Sequence, residues 1–116
     1  MSNAFDVTKI NLEELGNVKS ILKDRFSDLI EGYIDDTEKY LQDIEEAILN
    51  NDLKTIADNA HPLKSSSAYL GMSSISEIAK IMEETAKNSS ELDEIKELID
   101  PLREAVNHGK SKLNSL

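Results

Sequence analysis

Apolar residues recur at three- and four-residue intervals along almost the whole chain, and that spacing is the helical period. No stretch alternates for long enough to make a strand. Glycine and proline, the usual interrupters, number only 4 and 2 in 116 residues. A chain with this pattern has few options besides packing amphipathic helices against one another.

The pattern divides at its turn signals. It predicts a short first helix from about Thr8 to Leu15, with Ile10, Leu12 and Leu15 as its apolar residues. A long helix follows, from about Ser20 to Asn50, with the stripe Leu22, Phe26, Leu29/Ile30, Tyr33/Ile34, Tyr40/Leu41, Ile44 and Ala47/Ile48. Asn50-Asn51-Asp52 reads as a stop and restart, because Asn tolerates a C-cap conformation and Asp is a good N-cap. A third helix carries Leu53, Ile56, Ala60, Leu63, Ser67 and Leu70, and Gly71 ends it. Ser73 or Ser74 caps a fourth helix with Ile75, Ile78/Ala79, Met82 and Ala86 inward. Asn88-Ser89-Ser90 reads as a polar turn with Ser90 as a cap. The last helix carries Leu92, Ile95, Ile99, Leu102, Val106 and Leu113.

Four substantial helices joined by short turns predict an all-α, antiparallel, up-down-up-down four-helix bundle with a short additional N-terminal helix. Pro62 and Pro101 fall inside helical stretches whose apolar phase continues past them, so kinks are expected rather than breaks. A new helix beginning at Pro101, capped by Asp100, is the alternative there. The length suits a single domain over residues 1–116, with the bundle from about residue 8 to 113. Ser2-Asn3-Ala4 resembles a tag scar, so residues 1–4 are set aside.

Charge and cysteine content narrow the functions. The formal net charge is −10, which disfavours nucleic acid and anionic membrane surfaces as partners. There is no cysteine, so disulfides, thiol catalysis and cysteine-ligated metal are excluded, and a reducing, cytoplasmic setting suits the chain. No apolar run approaches the ~20 residues of a membrane span, and no signal peptide is visible. The two histidines are far apart in sequence, so no metal-ligand spacing is evident. Asp35-Asp36 and Glu45-Glu46 read as solvated helix faces. His108, beside Gly109 with no motif around it, reads as structural or neutral.

His61 differs from His108 in its surroundings. It lies one step round the third helix from Ala60, at the edge of the apolar stripe. Lys54, Asp58, Lys64, Ser65 and Ala68 share its face at spacings of three, four or seven residues. A solvated imidazole is largely neutral, and so nucleophilic, at neutral pH. Lys64 is one turn away and can offer a cation to phosphoryl oxygens, while Ser65 and Ala68 are small enough to let another protein approach. Periodicity alone does not separate this histidine from an ordinary surface one.

The segment Ala60-His61-Pro62-Leu63-Lys64-Ser65-Ser66-Ser67-Ala68-Tyr69-Leu70-Gly71 resembles the signature of histidine phosphotransfer domains of two-component phosphorelays, roughly A-H-x-L-K-G-[SA]-[SA]-x-x-[LVI]-G. The turn Asn50-Asn51-Asp52-Leu53 and the helix layout from about Ile10 to Leu113 are similar to the family as well. The resemblance implies His61 as phosphoacceptor through Nε2, and Lys64 as the cation that steadies the phosphoryl group. Glu83, 22 residues after His61, stands where the family often has a Gln or Glu that reaches the imidazole. Lys87, one turn further, could balance the charge of Glu83, but the plainer reading is a solvated surface lysine. Ser65 replaces the family's usual glycine, and Pro62 follows the histidine directly.

The function so implied is a phosphocarrier without an ATP site of its own, shuttling a phosphoryl group between receiver-domain aspartates. Its partners would be response-regulator receivers and a hybrid histidine kinase, and it would act as a monomer. No intrinsic cofactor is implied, since Mg²⁺ belongs to the partner receiver. Ile10, Leu12, Leu15, Leu22 and Leu29 are the apolar candidates for receiver docking. Two other readings stay open. One is the dimeric phosphoacceptor domain of a sensor histidine kinase, against which stand Pro62, where an acidic residue is usual, and the lack of a nucleotide-binding segment. The other is a non-catalytic helical adaptor in which His61 is incidental.

Overall fold

The computed structural model describes residues 5–88 and 92–116. Its elements are α1 (Leu12–Leu22), a 3-10 turn (Lys23–Arg25), α2 (Phe26–Leu49), α3 (Leu53–Tyr69), α4 (Ser73–Asn88) and α5 (Leu92–Asn114), with no strand among the described residues. Among the described residues, no helix is long and apolar enough to cross a membrane.

The start of the chain departs from the expected boundaries. The helix expected at Thr8–Leu15 instead spans Leu12–Leu22, and the long helix begins at Phe26 rather than near Ser20. α1 runs on through Gly16. The real interruption is at Lys23, whose backbone has φ +54 and ψ −117. Apolar spacing does not register such a twist, because Leu22 and Phe26 remain in helical phase across it. Asn11 caps α1 by accepting from the Glu14 N–H.

Other turns follow their residues closely. α2 stops at Asn50, Asn51 takes φ +54, and Asp52 caps α3 by accepting from the Thr55 N–H at 3.1 Å. Gly71, at φ +74, turns the chain after α3. Ser73 and Ser74, expected as alternative caps, both lie inside α4. The Ser74 hydroxyl serves the N-terminal segment instead, accepting from the Lys9 N–H at 2.7 Å and donating to the Asp6 carbonyl at 2.5 Å. Asn88 closes α4, while Ser89 and the expected cap Ser90 lie outside the described residues. α5 continues through Pro101, so no new helix starts there, and α3 likewise continues through Pro62.

The four longer helices form a closed ring: α2 packs on α3, α3 on α4, α4 on α5, and α5 back on α2. Side-chain pairs show that neighbours run antiparallel. Between α3 and α4, His61 meets Glu83 while the later Lys64 carbonyl accepts from the earlier Ser76 hydroxyl. Between α2 and α5, Glu38 pairs with Lys110 while the later Glu45 pairs with the earlier Arg103. The result is an up-down-up-down bundle measuring 44 × 27 × 20 Å.

The apolar stripes meet along its axis. Ile44, Ile56, Ala60, Leu63, Ile78, Ala79, Met82, Ile95 and Leu102 have no exposed surface. Burying each larger side chain of this kind contributes about 1.5–3 kcal/mol, which far exceeds what any exposed ion pair adds. Gly109 lets α5 approach closely, since a Cβ there would sit 3.2 Å from both Ile75 Cδ1 and Met72 Sδ. One polar pair is buried in the core, where the Tyr33 and Ser67 hydroxyls lie 2.6 Å apart and satisfy each other.

Candidate functional site

His61 and Glu83 each stand next to a fully buried residue in sequence, and that sets their positions. Ala60 on α3 and Met82 on α4 are both inaccessible. The next residue on a helix lies about 100° further round. Each is thereby carried to the edge of its stripe, along the seam where α3 and α4 pack. The His61 side chain emerges there with 61% of its surface exposed, whereas Glu83 keeps only 5%. The seam is fixed nearby by the Ser76 hydroxyl, which donates to the Lys64 carbonyl at 3.0 Å.

Glu83 is the hub. Its Oε2 lies 2.8 Å from His61 Nδ1 and also accepts from Lys87 Nζ at 2.8 Å. Its Oε1 accepts from Lys64 Nζ at 2.8 Å. Taking an ionised carboxylate out of water is costly unless it is paired and hydrogen-bonded, and here it has three partners. The Lys64 ammonium foremost, then that of Lys87, and to a lesser degree the His61 ring outweigh the opposing effect of burial. Together they hold the Glu83 carboxyl down from its ordinary 4.5 to about 2.

That ionisation fixes the histidine tautomer. A carboxylate can only accept, so Nδ1 must carry the proton it donates to Oε2. The proton of a neutral ring is then spoken for, and Nε2 is left with a free lone pair on a half-exposed side chain. The arrangement offers a nucleophilic nitrogen, a carboxylate that stabilises positive charge on the ring, and two ammonium groups beside it. Among the described residues, no group of three or more His, Cys, Asp or Glu side chains is placed to hold a metal ion.

The remaining residues singled out in the sequence fall into two sets. Ser65 and Ala68 are exposed on the His61 face of α3. Lys54 and Asp58, on that face too, pair with each other at 2.8 Å. Of the docking candidates, Leu12 is 60% exposed, while Ile10, Leu22 and Leu29 are partly buried against the core. Leu15 does not belong to an exposed docking surface. It is 3% exposed because α1 extends to Leu22 and turns Leu15, with Val18, onto the bundle. Leu29 lines a shallow groove of about 260 Å³ between α2 and α3 together with Ser66 and the exposed Tyr69.

Of the two readings open for Lys87, the structure favours charge balance over a solvated surface lysine, since its ammonium pairs with Glu83. The signal was present, since Glu followed four residues later by Lys is the favourable helical order for an ion pair. What hid it is that the depth of Glu83 in the α3–α4 seam, and with it the need for several partners, does not show in the sequence of α4. Glu45, read as a solvated face, likewise pairs with Arg103.

A ring of four antiparallel helices on which an exposed histidine is tethered by a buried carboxylate defines a helical histidine-carrier domain. Comparison with known proteins supplies the family. The model of the Hpt domain matches residues 28–108, most of the chain and all of α3 and α4. The fold is also similar to that of the crystal structure of histidine-containing phosphotransfer protein B (HptB) from Pseudomonas aeruginosa PAO1. That similarity has a TM-score of 0.88 and 20% sequence identity over 92% of each chain. No curated protein sequence matches this chain. The chain belongs to the Hpt domain family, and its function is histidine phosphotransfer in a phosphorelay. Members of the family are phosphocarriers rather than kinases, working with receiver domains and kinases.

Proposed function

We propose that His61 is the phosphoacceptor and that it shuttles a phosphoryl group between aspartates of receiver domains. The observation that carries this reading is the 2.8 Å contact between His61 Nδ1 and the buried, ionised Glu83. Among the described residues it gives His61 a fixed tautomer and a free Nε2.

The reaction can be followed atom by atom. A receiver bearing an aspartyl phosphate docks on the His61 face. The Nε2 lone pair attacks phosphorus in line, the N–P bond forms, and the P–O bond to the aspartate breaks with its electron pair returning to that carboxylate. The Nδ1 proton stays in place, so the ring gains positive charge as the bond forms. Glu83 stabilises that charge much as a carboxylate stabilises the imidazolium in a Ser-His-Asp triad. Lys64 steadies the phosphoryl oxygens, and transfer to a second receiver reverses the steps. Phosphoryl transfer asks a protein mainly for positioning and charge stabilisation, which this site offers without an ATP site. The Mg²⁺ is held by the receiver and no cofactor by this chain.

Ser65 and Ala68 leave room for the receiver's active site, although serine narrows the approach that the family's glycine would give. Leu12, with Ile10, Leu22 and Leu29, supplies apolar docking surface. The domain fills the chain, acts as a monomer and works in the cytoplasm. The experiment mixes the protein with a panel of phosphorylated receivers and Mg²⁺ and measures acid-labile phosphate on the chain. Labelling is expected in wild type and is lost in His61→Gln. Equal labelling of the variant would move the acceptor elsewhere, and no labelling by any receiver would leave a helical adaptor.

A further inference from the structure

Two ammonium groups approach the His61 ring, one from each helix of the seam. Lys64 stands on α3, one turn after the histidine, and Lys87 on α4, one turn after Glu83. Their contacts differ in a useful way. Lys64 binds Oε1, while Lys87 binds Oε2, the same oxygen that faces Nδ1. Two 2.8 Å contacts on one oxygen place the Lys87 ammonium within two hydrogen-bond lengths of the ring. The Lys87 side chain is also the freer of the two, 59% exposed against 30%.

Charge makes the second lysine consequential. With His61 neutral, Glu83, Lys64 and Lys87 together carry one positive charge. A phosphoryl group brings roughly two negative charges and three acceptor oxygens, by analogy with other phosphorylated side chains. If Lys64 were the sole cation, the phosphoryl group and the buried carboxylate would compete for it. We propose that Lys87 is a second phosphoryl-binding residue, paired with Glu83 while His61 is unmodified and turning to the phosphoryl oxygens once Nε2 carries the group. This rests on His61 being the phosphoacceptor. The exchange is local. Lys87 gives up one oxygen of a carboxylate that keeps Nδ1–H and Lys64, and its long exposed stem re-aims without disturbing the core.

The test needs no cognate partner. Phosphoramidate, a small donor to histidine, is applied to the full chain carrying His108→Gln, so that only His61 can be labelled. Two signals are followed by NMR, the Lys87 side-chain resonances before and after labelling and the ³¹P titration of the phosphoryl group. The Lys87 resonances are expected to move on labelling. In Lys87→Gln the phosphoryl titration should shift about half a pH unit upward, as expected for losing one half-exposed cation, and Lys87→Arg should restore most of it. Circular dichroism checks that each variant is folded. Unmoved Lys87 resonances overturn the proposal, and so does a Lys87→Gln titration that superimposes on wild type. A chain that takes no label at His61 sinks the phosphoacceptor reading itself, and Lys87's role falls with it.

Discussion

Glu83 shows how one side chain can set the state of its neighbours. With 5% of its side chain exposed, it would be a liability as a lone charge, yet three donors converge on it at 2.8 Å each. Its carboxyl is held at about 2 in the folded chain against an ordinary 4.5. A depressed carboxyl contributes stability that is present above the unfolded pKa and lost as pH falls through the folded one. The window is therefore from about 4.5 down to about 2. Urea unfolding should find wild type more stable than Glu83→Gln near neutrality, with the gap closing through that window. A gap that stays constant with pH would mean the carboxylate's charge is not what stabilises the fold.

At the scale of elements, the α3–α4 connection holds the seam that carries the site. Gly71 has φ +74, a conformation that costs an L-residue roughly 1–2 kcal/mol. It is also pressed against the N-terminal segment, whose Asn11 N–H donates to the Gly71 carbonyl at 2.7 Å. A Cβ on Gly71 would lie 2.4 Å from the Asn11 carbonyl oxygen, which is backbone and cannot swing away. Gly71→Ala should accordingly destabilise the protein by about 2 kcal/mol or more in chemical denaturation, beyond the φ penalty alone. A loss under about 1 kcal/mol would show that the segment from Asp6 to Asn11 yields easily.

The same elements show what sequence could and could not convey. The ends of α2 and α3 were legible because Asp52 and Gly71 act through local chemistry, a cap and a left-handed turn. The break between α1 and α2 was not, because Lys23 adopts its unusual backbone without any residue type that demands it. His61 and Lys64 stood out through their motif and one-turn spacing. The burial of Glu83 and the recruitment of Lys87 depend on how α4 is rotated against α3, and one helix's sequence does not specify that rotation. Leu15 was misplaced for a related reason, since which face of α1 meets the bundle is a tertiary fact.

For the whole molecule, the contrast is between a body of net charge −10 and a site where two lysines share the Glu83 carboxylate with the His61 ring. The ring of four helices makes this possible by holding α3 and α4 in one register, with the core stripes beneath and the Ser76–Lys64 bond at the seam. Two ammonium groups are thereby gathered at one place on a molecule of net negative charge, and under the proposed function that place holds a phosphoryl group while the net charge disfavours nucleic acid generally. The central claim is that this place is His61 and its reacting atom is Nε2. A long-range ¹H–¹⁵N spectrum of the phosphorylated chain, with ³¹P coupling resolved, reads the site and the atom together. The account predicts ³¹P coupling at His61 Nε2 with the proton retained on Nδ1, and phosphate on Nδ1 or on His108 would contradict it.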